Sequence, residues 1–340
     1  MTNLDKYNTF VTSGKRQVDS RRWKQIKQRK QLTVYAERRE SAHTTSRSDI
    51  TGSGLPMILC VGSVEGKLDD LMYEVMSEDL ETMRIKASRS VPNAHRQVDG
   101  ARHPFASTNL VKNRDYVYLE GTGYVTAKNG DRIGYHPLHS VSFPQMQPLP
   151  NRIRDNVSII AFWRQASPKA MEMFATGIFD PCGDMIRMLV VPGMATAFLS
   201  SVKYAHCGQM KKLAFMLDKA YTESKQRGTP NRKNLCVTCS SPIGRRLGDF
   251  GKSDSSCKLC FGHVCHGYKA VRKLSFVDPD LLLAKRKVTF CSGCTKSVTS
   301  SSATDCARAR MLSTTKGVNY ASIESISTGS TYSSGVSFSS

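Results

Sequence analysis

Hydrophobic and polar positions up to about residue 222 predict a strand-rich region that ends in a long helix. Residues 22–35 begin as a basic amphipathic stretch and end in a short strand, and residues 55–64 form an apolar strand. A helix follows, because apolar residues then recur at intervals of three and four: Leu68, Leu71, Met72, Val75 and Met76.

The next segment predicts antiparallel hairpins. Residues 116–125 pair with residues 133–143, and residues 157–164 pair with residues 171–179. Asn129-Gly130 is a strong two-residue hairpin turn, and Pro168 marks the second turn. Apolar residues with helical spacing from about Gly193 to Tyr221 close the region. A long amphipathic helix lying across an antiparallel sheet is an α+β fold.

Composition divides the chain into five segments. They are a disordered N-terminus (1–16), the sheet-forming domain (17–222), a charged linker (223–234), a cysteine-rich unit (235–298) and a disordered tail (299–340). The tail is rich in Ser and Thr and has few large apolar side chains. Such a segment cannot bury enough surface to offset its loss of conformational entropy.

Charge points to anionic partners. Among 340 residues, 49 are Lys or Arg and 28 are Asp or Glu, so the formal net charge is +21. This balance favours nucleic acid or an acidic membrane surface as partner. The most apolar stretch, residues 185–202, is interrupted by Arg187 and Pro192, so no membrane span is predicted. The polar residues 1–22 predict no secretory signal.

The eleven cysteines carry the strongest chemical information. Six form the pairs Cys236/Cys239, Cys257/Cys260 and Cys291/Cys294, and Cys265 follows the second pair. The turn in a CxxC pair directs two thiolates to one Zn²⁺ ion. The sequence therefore predicts zinc binding in a reducing, cytoplasmic compartment. Core, turn or tail positions are expected for Cys60, Cys182, Cys207 and Cys306.

Several stretches resemble a known family. They are RWKQIKQRKQLTVY (22–35), LPMILCVGSVEGKLDDLMYEV (55–75), RDYVYLEGTGYVTAKNGDRIGYHPLHSV (114–141) and AHCGQMKKLAFML (205–217). They are similar to the START-like lipid-binding domains that precede FYVE-type zinc fingers in a group of oomycete proteins. This resemblance implies a helix-grip fold, in which an antiparallel sheet and a C-terminal helix enclose a tunnel for a lipid or another apolar ligand. Arg164 and Glu120 are expected on solvated strand faces.

The cysteine pattern resembles a degenerate FYVE finger with two zinc ions in a cross-brace. The resemblance implies a complete four-thiolate site: Cys257, Cys260, Cys291 and Cys294. The other site receives Cys236, Cys239 and Cys265, and its fourth position falls at Tyr268, which is not a usual zinc ligand. His266 is favoured as the replacement, with His263 as the alternative; otherwise this site is damaged. Two zinc ions are expected, or one if the site of Cys236, Cys239 and Cys265 is damaged.

The stretch before the third cysteine departs from FYVE fingers that bind phosphatidylinositol 3-phosphate. Residues 251–258 contain no Arg or His, so specific headgroup recognition is not predicted and only weak phosphoinositide binding stays open. Nonspecific attraction to an anionic membrane remains. The predicted membrane-contact residues are Arg245, Arg246, Leu247, Phe250, Lys285, Arg286 and Lys287.

These observations favour a noncatalytic, lipid-binding and membrane-associated adaptor, cytoplasmic with peripheral contact to endosomal membranes. The alternative is a zinc-dependent module that binds protein, as RING-like fingers do, or nucleic acid, without a lipid. The sequence shows no nucleophile elbow, phosphate loop or HExxH motif, so an enzyme is not predicted. His136 and His139 have no carboxylate partner evident in the sequence and are expected to be structural.

Overall fold

The computed structural model of the chain describes residues 3–12, 16–38, 54–77, 79–90, 114–127, 129–182, 187–227, 235–243, 256–278 and 282–317. The helices are α1 (Asn3–Thr12), α2 (Leu68–Val75), α3 (Leu80–Ser90), α4 (Arg187–Leu199), α5 (Tyr204–Arg227), α6 (Ser292–Ser300) and α7 (Ala303–Gly317). The strands are β1 (Trp23–Arg29), β2 (Leu32–Glu37), β3 (Ile58–Glu65), β4 (Arg114–Tyr116), β5 (Tyr118–Glu120), β6 (Gly123–Thr126), β7 (Arg132–Ser140), β8 (Ile153–Ser167), β9 (Ala170–Asp180), β10 (Lys269–Val277) and β11 (Leu283–Cys291).

The first nine strands form one sheet within the described residues. Its order is β1-β2-β3-β9-β8-β7-β5, with β4 beside β8 and β6 beside β7, and every pair except β4–β8 is antiparallel. The hairpin predicted at Asn129-Gly130 joins β6 to β7. There the backbone N–H of Asp131 donates to Asn129 Oδ1 over 3.1 Å, and Gly130 has a φ of 83°, which favours glycine. The hairpin predicted around Pro168 is β8–β9.

The sheet is covered on both faces. The inner face carries Trp163, Met171 and Met173, which pack with apolar residues of α2 and α4 in the largest core cluster. On the outer face, Phe162 and Phe174 pack against Tyr7 of α1, with ring centroids 5.5 and 5.8 Å apart. This α+β arrangement of an antiparallel sheet with a long C-terminal helix, followed by a small cysteine-rich unit, confirms the predicted fold class. In the described residues no helix has the length and apolar character needed to cross a bilayer.

The single helix predicted from Gly193 to Tyr221 is interrupted. A 3₁₀ turn at Ser200–Lys203 separates α4 from α5. The hydroxyls of Ser200 and Ser201 donate to backbone carbonyls three residues earlier over 2.7 Å, and such bonds compete with regular helix hydrogen bonding. As a result α4 lies on β1, β2, β3 and β9, whereas α5 packs against α2 and the cysteine-rich unit.

Two adjacent buried lysines hold α5 to α2, and the second of them also joins the sheet domain (residues 16–227) to the cysteine-rich unit (residues 235–300). Lys211 Nζ donates to the carbonyls of Tyr73 and Met76 at the end of α2, over 2.9 and 2.7 Å. Lys212, with no exposed side-chain surface, lies 2.8 Å from Asp70 of α2. Lys212 Nζ also donates to the carbonyls of Thr299 and Ser301 at the end of α6, over 2.9 Å each. The two units are therefore one packed body at this point.

The chain termini differ from the sequence expectation. Part of the segment predicted as a disordered N-terminus is α1, because Tyr7 buries its ring in the outer-face core. Part of the predicted disordered tail is α7, where Ala303 and Cys306 are buried against Tyr73 of α2. The predicted linker begins inside α5, which extends to Arg227. Residues 228–234 and 318–340 lie outside the described residues.

Candidate functional site

The four cysteines of the predicted complete site come together. The sulfurs of Cys257, Cys260, Cys291 and Cys294 all lie within 4.8 Å of one another. Zinc–thiolate bonds of about 2.3 Å in a tetrahedron place the sulfurs about 3.8 Å apart, so this cluster matches a four-thiolate site. Two local structures build it. Cys257 and Cys260 lie in a turn closed by the Ser256–His263 bridge, and Cys291 ends β11 and caps α6.

The electrostatics of this cluster favour a bound cation. Hydrogen bonds from Cys260 and then Cys294 lower the pKa of the Cys257 thiol well below its usual range. The same contact with Cys257 raises the pKa of Cys260 to about 11, and it raises the pKa of Cys294 further. Without a metal, Cys257 is thus ionised while the thiols of Cys260 and Cys294 stay protonated. Only a cation at the centre lets all four sulfurs carry a charge together.

A second cluster contains Cys236, Cys239 and Cys265. The sulfurs of Cys239 and Cys265 are 3.7 Å apart, and the N–H of Cys265 donates to Cys236 Sγ over 3.4 Å. Burial alone would raise the pKa of Cys236. Backbone N–H donors, that of Cys265 first, outweigh burial and lower this pKa to about 6. Both clusters can hold a metal ion, and seven of the eight predicted ligands belong to them.

The eighth predicted ligand, His266, does not join the second cluster. Within the described residues, no fourth His, Cys, Asp or Glu atom lies within 4.8 Å of all three sulfurs. His266 starts a short 3₁₀ turn (His266–Tyr268) and is exposed to solvent, as is Tyr268. His263, two residues before Cys265, has a buried Nδ1 with no hydrogen-bond partner among the described residues. His263, like His266, lies outside the 4.8 Å group of sulfurs.

The predicted membrane-contact residues fall into two groups. Arg245, Arg246, Leu247 and Phe250 lie outside the described residues. Lys285, Arg286 and Lys287 lie on β11, where Arg286 forms an ion pair with Asp278 over 2.6 Å. Lys287 is exposed and directly opposite the exposed Lys273 of β10, a residue that the sequence did not single out. Two like charges directly opposite each other destabilise a hairpin, so an anion beside them would relieve the repulsion.

The inner face of the sheet carries a row of apolar side chains that are only partly buried. Leu138 of β7 lies directly opposite Ile159 of β8, and Phe179 of β9 lies opposite the buried Val157. Residues that are opposite in an antiparallel pair point to the same face. We refer to Leu138, Ile159 and Phe179 as the apolar row. These three side chains retain some accessible hydrophobic surface on the inner face.

One buried polar cluster borders the apolar row on β5. Glu120 lies opposite Leu138 and contacts His136 Nε2 over 2.5 Å, and it also pairs with Lys86 of α3. Burial lowers the pKa of His136 even though Glu120 opposes the shift. Burial would raise the pKa of Glu120, but its bonds to His136 and Lys86 lower it. Glu120 is therefore the carboxylate partner of His136, and the expectation of a solvated Glu120 is wrong.

A second polar cluster borders the row at Phe179. The ring of Tyr116 packs on that of Phe179 at 5.6 Å, and its hydroxyl donates to Asp155 Oδ2 over 2.6 Å. Arg114 Nε lies 3.3 Å from Asp155 Oδ1, and both side chains are almost fully buried. Burial raises the pKa of Asp155 to about 7. Sequence reasoning missed this cluster; the charged residues at the start of a predicted strand, Arg114 and Asp115, were the available signal.

Comparison with known proteins gives weak similarity to solved structures. No protein-family model and no curated protein matches the chain. Human StAR-related lipid transfer protein 5 is 17% identical, with 59% of this chain and 94% of that chain covered and a TM-score of 0.41. Human STARD10 is 16% identical over 68% and 91% of the two chains, with a TM-score of 0.38. The human StarD13 lipid transfer and protein localization domain is 12% identical over 60% and 97%, with a TM-score of 0.38. Because these TM-scores are below 0.5, nothing about the ligand of this chain follows from these similarities.

Proposed function

We propose that the chain is a noncatalytic lipid-binding protein whose cysteine-rich unit is held by zinc and contacts anionic membranes. The observation that carries the lipid assignment is the apolar row on the inner face, bordered by two buried polar clusters. Small-molecule sites combine an apolar lining with a few placed polar groups, and this combination suits an apolar chain with one polar end. Two pairs of polar groups can hydrogen-bond to the polar end of such a ligand: Glu120 with His136, and Asp155 with Tyr116.

Zinc is the metal that best suits the two cysteine clusters. Thiolates are soft ligands that select zinc over hard cations such as Mg²⁺ or Ca²⁺. Bound zinc supplies folding free energy rather than chemistry when all its ligands come from the protein. We assign Cys257, Cys260, Cys291 and Cys294 to one ion. Cys236, Cys239 and Cys265 would hold the other, with His263 as the fourth ligand after rotation of its side chain.

The membrane contact is assigned to the exposed basic side of the β10–β11 hairpin. Lys273 and Lys287 lie opposite each other there, next to the exposed Val271. Each basic residue near an anionic leaflet contributes about 1 kcal/mol of attraction. Free thiols in both clusters suit a reducing compartment, so a cytoplasmic location with peripheral contact to endosomal membranes belongs to the same proposal.

Native mass spectrometry of the purified full-length protein, followed by denaturation, tests the lipid assignment. A co-purified lipid is expected in the wild type. Leu138→Trp places an indole over the apolar row and is expected to lose most of that lipid. Leu119→Trp is the matched control, because Leu119 is on the neighbouring strand, is 62% exposed and lies opposite His139 on the other face. Equal lipid content in both variants would contradict the assignment.

A vesicle-sedimentation assay tests the membrane assignment separately. The wild type is expected to bind vesicles containing phosphatidylserine more tightly than neutral vesicles, and less tightly as salt increases. Replacement of both Lys273 and Lys287 by Gln should weaken binding on the order of tenfold. Lys30→Gln, an exposed lysine paired with Glu65 on the sheet domain, is the control. Binding that does not depend on anionic lipid would overturn this assignment.

A further inference from the structure

A groove lies between the sheet domain and the cysteine-rich unit, away from the inner face of the sheet. Its volume is about 960 Å³, within the usual range of small-molecule sites. One wall is formed by α3 and α5, and the other by β11 and the turn that follows Cys257. Arg310 of α7 lines it as well. The groove exists only because the two units pack together.

The wall on the sheet domain carries two carboxylates without an ion-pair partner among the described residues. Glu81 of α3 and Asp218 of α5 line it, and neither makes an ion pair or side-chain hydrogen bond with another residue that the structure describes. The nearby Asp79 is already paired with Arg310 over 3.4 Å. Burial raises the pKa of Glu81, and the carboxylates of Asp79 and Asp218 add to this rise although Arg310 opposes it. Lys86 and Lys211 also line this wall, but Lys86 is paired with Glu120 and Lys211 donates to two backbone carbonyls, so Glu81 and Asp218 have no ion pair within the described residues.

The wall on the cysteine-rich unit is basic. Lys258 and Lys287 line it, and in the described part of the chain neither ammonium group has a carboxylate partner. Arg286 also lines the groove, but Asp278 neutralises it. Among the described residues no ion pair joins Glu81 or Asp218 to either lysine. The two walls thus carry opposite charges that remain unpaired across the groove.

The surface between the walls is aromatic. Phe215 and Tyr221 of α5 face the groove with Phe261 and Phe276 of the cysteine-rich unit. Aromatic rings attract ammonium groups through their faces and also pack well against an acyl chain. The groove therefore offers a site for a cation, a site for an anion and an apolar surface within one cavity.

We infer that this groove binds a zwitterionic phospholipid, with its ammonium group at Glu81 and Asp218 and its phosphate at Lys258 and Lys287. An anionic ligand would meet two unpaired carboxylates, and a cationic ligand would meet two unpaired ammonium groups. Only a ligand with both charges neutralises both walls. This site is separate from the apolar row and shares only Lys287 with the proposed membrane contact, so the inference goes beyond the lipid binding proposed for the inner face.

Isothermal titration calorimetry of the full-length, zinc-loaded protein tests the inference with short-chain lipids below their micelle concentration. Dihexanoyl-phosphatidylcholine is expected to bind severalfold more tightly than two comparators. One is dihexanoyl-phosphatidylglycerol, which has the chains and phosphate but no ammonium group. The other is phosphocholine, which has the headgroup but no chains. Equal or tighter binding of either comparator overturns the inference.

Substitutions inside and outside the groove test whether the lipid binds there. Asp218→Asn should weaken phosphatidylcholine binding roughly threefold to fivefold, as expected for an exposed ion pair, without weakening phosphatidylglycerol binding. Lys258→Gln should weaken both. Glu223→Gln is the matched control, since Glu223 lies on the same helix and pairs with Lys219 over 4.0 Å outside the groove. Leu138→Trp should leave this binding intact, which separates it from the inner-face site. Unchanged phosphatidylcholine binding in folded Asp218→Asn protein overturns the inference.

Discussion

The two cysteine clusters are built from similar turns but are embedded in the molecule very differently. Cys257, Cys260, Cys291 and Cys294 belong to an apolar core that includes Met210 and Leu213 of α5. In the described part of the chain, Cys236, Cys239 and Cys265 belong to no such core. Their neighbours Leu235, Val237 and Tyr268 are exposed. The first cluster is part of the protein interior, and the second lies in a loop whose neighbouring side chains are mostly exposed.

Because of this difference, only a metal in the first cluster would be linked to the sheet domain through the contacts that the structure describes. Cys291 and Cys294 begin α6, and the carbonyls at the end of α6 hold Lys212. Lys212 in turn balances the buried charge of Asp70 on α2, which packs on the inner face. Release of a metal from the first cluster would therefore disturb a series of contacts that ends in the sheet domain. Within the described residues, no comparable series of contacts connects the second cluster to the sheet domain.

The strongest test removes a ligand from the first cluster. Cys291→Ser should lose one zinc ion and lower the free energy of unfolding by more than about 4 kcal/mol, because a structural metal and a core contact are lost together. The thermal transition is followed by Trp163 fluorescence in a Trp23→Phe background, which reports on the inner face. Cys182→Ser, outside both clusters, is the control. An unchanged Trp163 transition would break the proposed linkage.

The next test removes the buried ion pair between Lys212 and Asp70. Lys212→Met leaves Asp70 buried without its ion pair and should cost about 3–5 kcal/mol in chemical denaturation. Adding Asp70→Asn should recover part of this loss, since the unpaired charge is then removed. Lys219→Met, an exposed position on the same helix, should change stability by less than about 0.5 kcal/mol. Equal effects at Lys212 and Lys219 would mean that α5 does not couple the two units.

Removal of a ligand from the second cluster should have a smaller effect on global stability. Cys239→Ser is expected to lose one zinc ion in native mass spectrometry but to change global stability by about 1 kcal/mol or less. The reason is that residues 235–243 can open locally without exposing the main core. Hydrogen exchange should increase in that segment alone. A loss as large as that of Cys291→Ser would remove the distinction between the two clusters.

The smallest effect concerns the fourth ligand of the second cluster. His263→Ala should accelerate zinc release to a chromophoric chelator, while His266→Ala should leave the rate unchanged, because His266 is exposed outside the cluster. Neither variant should change the thermal transition measurably. Faster release from His266→Ala alone would restore the ligand that the sequence favoured.

Much of the fold was accessible from local patterns. The β6–β7 hairpin follows from Asn129-Gly130, and α2 follows from apolar spacing, because both depend on residues close in sequence. The interruption between α4 and α5 was missed, since two serine side chains decide it within an otherwise helical pattern. Helices α1 and α7 were missed because each depends on one or two buried side chains, Tyr7 and Cys306, that find a partner elsewhere in the molecule.

The candidate sites, like the fold, were predicted only in part. The grouping of seven cysteines was predicted from CxxC spacing and the resemblance to a zinc finger, and the structure brings them together. The partnership of Glu120 with His136 was missed because the two residues lie on different strands, β5 and β7. The same holds for Arg114 and Asp155, which the parallel pairing of β4 and β8 brings together.

The amino-acid sequence alone was enough to predict the basic charge, the thiols that can hold a metal, and the strands and helices whose hydrophobic spacing is local. Tertiary structure decided which of these groups meet. Lys212 and Asp70 are 142 residues apart in the chain, and their pairing exists only because α5 packs on α2 while α6 presents its terminal carbonyls. Burial makes such contacts strong, and burial is a property of the packed molecule that no short stretch of sequence contains.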